Sequence, residues 1–439
     1  MQFTSTRNSK LSVNFSQAVK SCIPEDGGVY VPSPDAIYDL RRWIYYINEN
    51  TSFSSIAGTL TSAFMQDEIS PILCENIATR AFPFKPNVKQ LDKNLFQMEL
   101  FNGYTGCYRD FGVSYLCSYL EITQELYGGS TLFLDYTNGE IGSLLSKVLH
   151  GKKHIKAVLL YKKGTVRGIA QEDLIYNGGN ILPVEIDASE SQIKEILRQI
   201  FADKDFIKEN NISVANTTNV CRLMSQVFYY PYSFAQIKNK IDGEIYYASD
   251  AGNYSTLMSG LYSWRFALPV NGFYMPSTSA LSCDFQGNPK VLDSFVDISK
   301  RDESNPVDPA NLERLENFFS LNGIMMRNFV FPVEVDEKSR EKAAKELYMK
   351  YGIFADRGTA SAYASVKNDA EEIYDENGAV VLISQNHPSL DAEYCRHVLG
   401  QVPAMPKNVK ESLIPVELNK ACLNSAEEIK DLIKNSFKP

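Results

Sequence analysis

Leu100-Phe101-Asn102-Gly103-Tyr104-Thr105-Gly106-Cys107-Tyr108-Arg109-Asp110-Phe111 is the stretch from which the rest of the chain falls into place. After it, strand and helix patterns alternate. Ser130–Tyr136, Lys156–Tyr161 and Ile181–Ile186 read as strands, and Gly142–Leu149 and Ser189–Phe201 as helices between and after them. A further strand, Glu244–Ala248, runs into Asp250-Ala251-Gly252-Asn253. Strand-helix-strand repetition implies parallel sheets joined by right-handed crossovers. Two α/β domains are therefore expected, with a cleft between them where such folds place ligands. Arg109 brings a permanent charge to the stretch. A guanidinium keeps its proton and its lone pair is delocalised, so it cannot act as an amine nucleophile.

Upstream, Ser5-Thr6-Arg7 is followed by Phe15, Ala18 and Val19, then by Asp26-Gly27-Gly28-Val29-Tyr30-Val31-Pro32. The paired glycines mark a turn, and the next four residues a short strand ended by proline. Residues 35–80 read as helical, with Trp43, Tyr46, Ile47, Phe53, Ile56 and Phe64 as core positions. Downstream, Ser299–Pro309 and Lys367–Gly378 read as exposed linkers, and Glu337–Tyr351 and Ser425–Ser436 as helices.

With 439 residues, 44% of them hydrophobic and 22% charged, the chain has the makings of two or three globular domains. A net charge of -9 argues against a nucleic-acid surface. No apolar run is long enough to span a membrane, and the first residues lack the apolar core of a signal peptide, so a cytoplasmic location is expected. Eight scattered cysteines without a CxxC pair suit free thiols.

The quoted stretch resembles the active-site segment of the threonine synthase family, Leu-Phe-His-Gly-Pro-Thr-Leu-Ala-Phe-Lys-Asp-Phe, with Arg109 where that segment has lysine. The resemblance continues in order along the chain. It takes in the N-terminal Ser-Thr-Arg and Asp-Gly-Gly signatures, then Leu160–Val166 with Gln171, and Asn216–Arg222 with Gln226 and Tyr229-Tyr230. It goes on through Asn305–Asp308 with Asn311 and Glu313-Arg314-Leu315, then Tyr351-Gly352, Asp356, Thr359-Ala360 and His387-Pro388. What it implies is fold type II of the pyridoxal phosphate (PLP) enzymes, the tryptophan synthase β-like α/β fold, with a threonine-synthase-type N-terminal segment. The implied domains are residues 1–90 for that segment, 91–130 with 225–439 for a larger α/β domain, and 131–224 for a smaller one. The implied ancestral activity is a carbon-oxygen lyase reaction on phosphate, turning O-phosphohomoserine into threonine with PLP held by the lysine.

The family's site residues carry over position by position. Its substrate loop, Thr-Ser-Gly-Asp-Thr-Gly-Ser, is here Thr137-Asn138-Gly139-Glu140-Ile141-Gly142-Ser143. Both glycines remain, but Ile141 and Asn138 each replace a hydroxyl. Its phosphate cradle, Gly-Asn-Phe-Gly-Asn, is here Gly252-Asn253-Tyr254-Ser255-Thr256, with the second glycine lost. The threonine that meets the pyridine nitrogen is replaced by Gln385, and the histidine of Asp-Pro-His-Thr-Ala by Gly358.

Two roles stand open for Arg109. It could pair with a carboxylate such as Asp110, or offer its planar fork to a phosphate or carboxylate ligand. Lys147, Lys152, Lys153, Lys162 and Lys163 read as solvated surface charges rather than replacements for the missing lysine. His150 and His154 read as surface residues with no completed metal site, and His387 as structural. Cys107 is either a thiol activated by its cation neighbour or inert core. Tyr229, Tyr230 and Tyr232 are expected in core and cleft walls. Three functions follow as expectations. The first is a pseudoenzyme that binds an anionic metabolite or a protein partner. The second is a threonine synthase or related PLP lyase with a rearranged site. The third is a pocket for another phosphorylated or carboxylated metabolite clamped by Arg109.

Overall fold

Alternate residues of the strand Thr131–Tyr136 face opposite ways, and both faces are buried. Leu132 and Leu134 enter one core, Phe133 another. That double burial is what a parallel sheet covered on both sides demands. A computed structural model of the chain describes residues 1–33, 41–65, 67–291, 296–309, 311–320, 322–369 and 378–437. In it Thr131–Tyr136 lies in a four-stranded parallel sheet, in the order Ile181–Ile186, Ile155–Lys162, Thr131–Tyr136, Ile212–Ser213.

A second sheet has six strands, ordered Val330–Val333, Gly272–Pro276, Ile245–Ala248, Ala379–Ser384, Leu95–Glu99, Asn87–Gln90. All pair in parallel except Asn87–Gln90, which closes one edge antiparallel. The helices Glu337–Tyr351, Arg357–Asp369 and Ala392–Leu399 cover its outer face through Leu347, Tyr363 and Val398. The inner faces of both sheets share one apolar interior, and the helix Arg109–Tyr127 is buried in it along most of its length.

The N-terminal segment makes its own small antiparallel sheet, Ser12–Asn14, Gln2–Ser5 and Tyr30–Pro32. Three helices follow, Arg41–Tyr46, Phe53–Phe64 and Pro71–Ala81, and residues 35–40 of the expected helical region lie outside the described residues. Ile47, Phe53, Ile56 and Phe64 are buried as expected, and Trp43 packs partly against the same core. Tyr46 is not a core residue: it ends a six-residue helix and stands 81% exposed.

Arg314 ties this segment to the cleft. It is fully buried, and its guanidinium donates to the carbonyls of Tyr30, Thr217 and Thr218 and to Asn311 Oδ1, at 2.7–3.1 Å. Next to it Glu313 takes Thr6 Oγ1 and the Arg7 guanidinium. The Ser-Thr-Arg and Glu-Arg signatures are thus two halves of one polar joint.

Past residue 412 the chain returns to the four-stranded sheet. Val416 donates to the Val166 carbonyl, Leu423 bridges to Ile186, and the helix Ala426–Ser436 buries Ile429 and Ile433 beside Ile193 and Leu197. Its apolar stripe thus packs with the smaller sheet, whereas a division at 225–439 assigns it to the larger domain. The linker at Lys367–Gly378 lies mostly outside the described residues, and helix continues through Asp369. No helix among the described residues is long and apolar enough to cross a membrane.

Candidate active site

The loop between the strand Leu95–Glu99 and the helix Arg109–Tyr127 folds around the carboxylate of Asp110. Thr105 donates to it twice, from its backbone N–H at 2.8 Å and its hydroxyl at 2.6 Å. Gly103 lets the loop close over it, since a Cβ there would lie 2.6 Å from Asp110 Cβ. Burial pushes the Asp110 carboxyl up to about 6, the hydrogen bonds from Thr105 opposing it. Asp110 is therefore occupied by its own loop and does not pair with Arg109.

Arg109 reaches instead to the opposite sheet. Its Nη1 is 2.5 Å from Glu140 Oε2 and 3.0 Å from Cys107 Sγ, and the guanidinium carbon stands 5.1 Å from the centre of the Tyr108 ring. Each side chain of the ion pair is about one-third exposed. Cys107 is the largest influence raising the guanidinium's pKa, against desolvation, with Tyr108 and Glu140 adding to it. At neutral pH the thiol is neutral, so Glu140 is the charge that counts. Burial pushes the Cys107 thiol up to about 11 despite Arg109, and the residue is 2% exposed. It is inert core rather than an activated thiol.

Glu140 opens the helix Glu140–Leu149 at the carboxyl end of the strand Thr131–Tyr136. Gly139 precedes it with φ 111°, and its N–H is donated to Thr137 Oγ1 at 2.9 Å. Neither glycine of the loop tolerates a side chain. A Cβ on Gly139 would meet Arg167 Nε at 2.3 Å, and one on Gly142 would overlap the Tyr161 hydroxyl. Ser143 Oγ turns back to the Glu140 carbonyl at 3.1 Å. Asn138 is exposed and Ile141 half-buried against the shared core. Arg167 was not singled out from sequence. Its Nε is buried beside Gly139 without a hydrogen-bond partner, and nothing in its local sequence announces that position.

The third wall is the cradle at the N-terminus of the helix Ser255–Arg265. Gly252 (φ 47°) and Tyr254 (φ 63°) take left-handed conformations, and Asn253 Oδ1 accepts from the Ser255 N–H at 3.2 Å. Asn253 is held in turn by Thr217 Oγ1 and by Asn311. Ser255 is 1% exposed, and its hydroxyl has no partner. Gln385 caps this wall, donating to Thr256 Oγ1 at 2.9 Å with Oε1 3.8 Å from where a Gly252 Cβ would sit. Its carbonyl accepts from the Tyr108 N–H at 2.7 Å, which joins the cradle to the Arg109 loop. Behind lie two carboxyls, Asp356 buried and Asp250 half-buried, both raised by desolvation. Gly358 packs on Asp250, and Asn386 donates to Asp356.

The remaining expected residues stay outside this wall. Lys147, Lys152 and Lys163 pair with Glu411, Glu121 and Asp187, and Lys153 and Lys162 are exposed. His150 is solvent-facing and pairs with Asp173 at 2.6 Å, and no metal-holding cluster exists among the described residues. Tyr229, Tyr230 and Tyr232 are buried, with the Tyr230 hydroxyl donating to the Thr256 carbonyl.

Residues 2–82 match the family description "Threonine synthase N terminus". Along nearly its whole length the chain is similar to threonine synthase of Escherichia coli, 24% identical over 422 residues and covering 94% of each chain. The Serratia marcescens threonine synthase is likewise 24% identical over 418 residues, covering 93% of each. Two solved structures superpose end to end: E. coli threonine synthase, with a TM-score of 0.79 at 22% identity, and PLP-bound threonine synthase of Brucella melitensis, with 0.79 at 17%, each covering 100% of both chains. The fold is that of the PLP-dependent threonine synthases, fold type II.

Proposed function

Proceeding from a threonine synthase-like chain, we propose that this protein has given up covalent PLP chemistry and keeps the cleft as a site for a small phosphorylated or carboxylated metabolite. The observation that carries the proposal is the Arg109–Glu140 ion pair, 2.5 Å across the cleft. It puts a permanent cation at the position of the family's lysine and ties it to the loop that corresponds to the substrate loop.

PLP would need a phosphate cradle and a free amine. The cradle suits a phosphate: a left-handed turn at a helix N-terminus, with the buried Ser255 hydroxyl unpaired. The amine end does not fit. A guanidinium forms no Schiff base, and each lysine of the smaller sheet's region named above is paired away or exposed. Gln385, spent on Thr256, replaces the partner of the pyridine nitrogen. The residues present do not fit a covalently held cofactor, and no catalytic step passes through one.

What remains is recognition. An anion entering the cradle meets helix N–H groups, the Ser255 hydroxyl and, on displacing Glu140, the fork of Arg109. The purified protein should bind inorganic phosphate, lose that binding in Arg109→Ala, and form no threonine from O-phosphohomoserine. Threonine formation at an enzyme-like rate would overturn the proposal. The second reading, an active PLP lyase with a rearranged site, is favoured by the left-handed Gly139, Gly252 and Tyr254 turns. Failure to bind PLP at all excludes it.

A further inference from the structure

Away from that cleft, at the edge of the six-stranded sheet, the structure carries a second cleft of about 440 Å³. Neither Arg109, the cradle nor the Asn138–Ser143 loop lines it. Its floor is the strand Leu95–Glu99, where Gln97 and Glu99 share a face, with their register partners Lys89 and Asn87 beside them. Its size falls within the range of small-molecule sites.

The polar groups are of two kinds. Gln97 is 1% exposed. Its Nε2 donates to Ser384 Oγ at 2.9 Å, but its Oε1 has no hydrogen-bond partner. A buried amide oxygen left unpaired in a cleft wall is a standing cost that a donor from a ligand would relieve. Glu99, 7% exposed, adds a carboxylate held by Asn87 Nδ2 at 2.8 Å and Lys89 Nζ at 2.5 Å. These are the acceptors.

The donors lie close by. Lys89 sits at the rim with its side chain 44% exposed. His387 receives the Ser389 N–H on Nδ1 at 3.2 Å, so Nε2 is the nitrogen that carries the proton, and burial holds the ring below its ordinary pKa and therefore neutral. Asn102 and Asn408 add two amides to the lining, and the remaining side chains are apolar. Phe101 stands edge-on to His387 with ring centres 5.3 Å apart, and Ile353, Phe354 and Pro403 complete it.

A simple anion entering here would face Glu99, and a simple cation would face Lys89. A molecule with both charges a few bonds apart satisfies both: its ammonium takes Glu99 and, on rotation of the buried Gln97 amide, Gln97 Oε1, and its carboxylate takes Lys89 and His387 Nε2–H. The aromatic and proline wall then takes an apolar side chain. We propose that this second cleft binds a free α-amino acid with an apolar side chain. The proposal does not rest on the reading of Arg109.

The experiment is isothermal titration of the full-length protein with L-isoleucine, L-methionine and L-phenylalanine in turn. Each is compared with its N-acetyl and its carboxamide forms. The expected result is saturable binding of at least one free amino acid, abolished by acetylation or amidation. Gln97→Met and Glu99→Gln should each weaken it by about tenfold or more. Ala404→Trp, on the exposed wall of the cleft, should block it without touching the buried pair, and so keeps the test valid if Glu99→Gln fails to fold. Arg109→Ala should leave it unchanged. The proposal is overturned if none of the three binds at about 1 mM, or if the acetylated and amidated forms bind equally well. It is also overturned if binding survives Ala404→Trp and Gln97→Met but is lost in Arg109→Ala, which would locate the amino acid in the first cleft.

Discussion

Replacing Glu140 by glutamine separates the two things its carboxylate does. It holds Arg109 at 2.5 Å, and it repels any anion that would take its place. Both side chains are about one-third exposed (32% and 33%), so the pair is screened and its loss should cost only about 0.5–1 kcal/mol of stability. The repulsion between Glu140 and an anion about 4 Å away lies between about 1 kcal/mol in water and about 4 kcal/mol at a protein surface. The partial exposure places it toward the lower end. Since about 1.4 kcal/mol is tenfold, Glu140→Gln should tighten inorganic phosphate binding by about tenfold, while Arg109→Ala weakens it at least as much. Titration calorimetry at fixed ionic strength reads the affinity, and urea midpoints read the stability. Phosphate affinity unchanged in both variants would show that the pair is a surface contact unconnected to any ligand.

Three further outcomes follow from the packing. Arg314→Met should lose at least about 3–5 kcal/mol and prevent folding, because it strands the Tyr30, Thr217 and Thr218 carbonyls and Asn311 in the interior; a folded variant with an unshifted urea midpoint would contradict this. Gly142→Ala drives a methyl into the Tyr161 hydroxyl and should cost about 1–3 kcal/mol, part of which Tyr161→Phe restores; additive losses in the double variant would show that the contact is not the cause. Burial raises the carboxyls of Asp135 and Asp110 to about 7 and about 6, above their unfolded values near 4. Their stabilising contribution is therefore complete below about pH 4 and lost as pH rises through 6 and 7, together on the order of 7 kcal/mol. Urea midpoints measured from pH 4 to 8 should show that slope lessened in Asp135→Asn, and an identical slope would show that Asp135 does not titrate there.

The α/β alternation was legible because three of the smaller sheet's four strands are short apolar runs closed by a turn; the fourth, Ile212–Ser213, is two residues long and was not read. Ile181–Ile186 and Glu337–Tyr351 have the bounds read from sequence. The helix Arg109–Tyr127 was not read, since a helix buried nearly all round shows no polar face by which to recognise its period. Tyr46 fails for the opposite reason, because an aromatic at helical spacing says nothing about which way a six-residue helix faces. At the site, the turn glycines were legible from the resemblance; positive φ gives the physical reason at Gly139 and Gly252, and the Tyr161 hydroxyl gives it at Gly142. The partner of Arg109 was not. Asp110 is adjacent in sequence but consumed by Thr105, while Glu140 is 31 residues away and reaches Arg109 only when the two sheets come together. Arg167 was missed for the same reason: its contact with Gly139 is made by the fold, not by a motif.

The most direct test of the proposed loss of covalent cofactor chemistry is a visible absorbance spectrum of the purified protein with and without added PLP, followed by borohydride reduction and peptide mass mapping. No aldimine band and no pyridoxyl-modified peptide are expected. A reducible aldimine on any lysine, mapped to a peptide at this cleft, would contradict it and return the protein to the PLP enzymes.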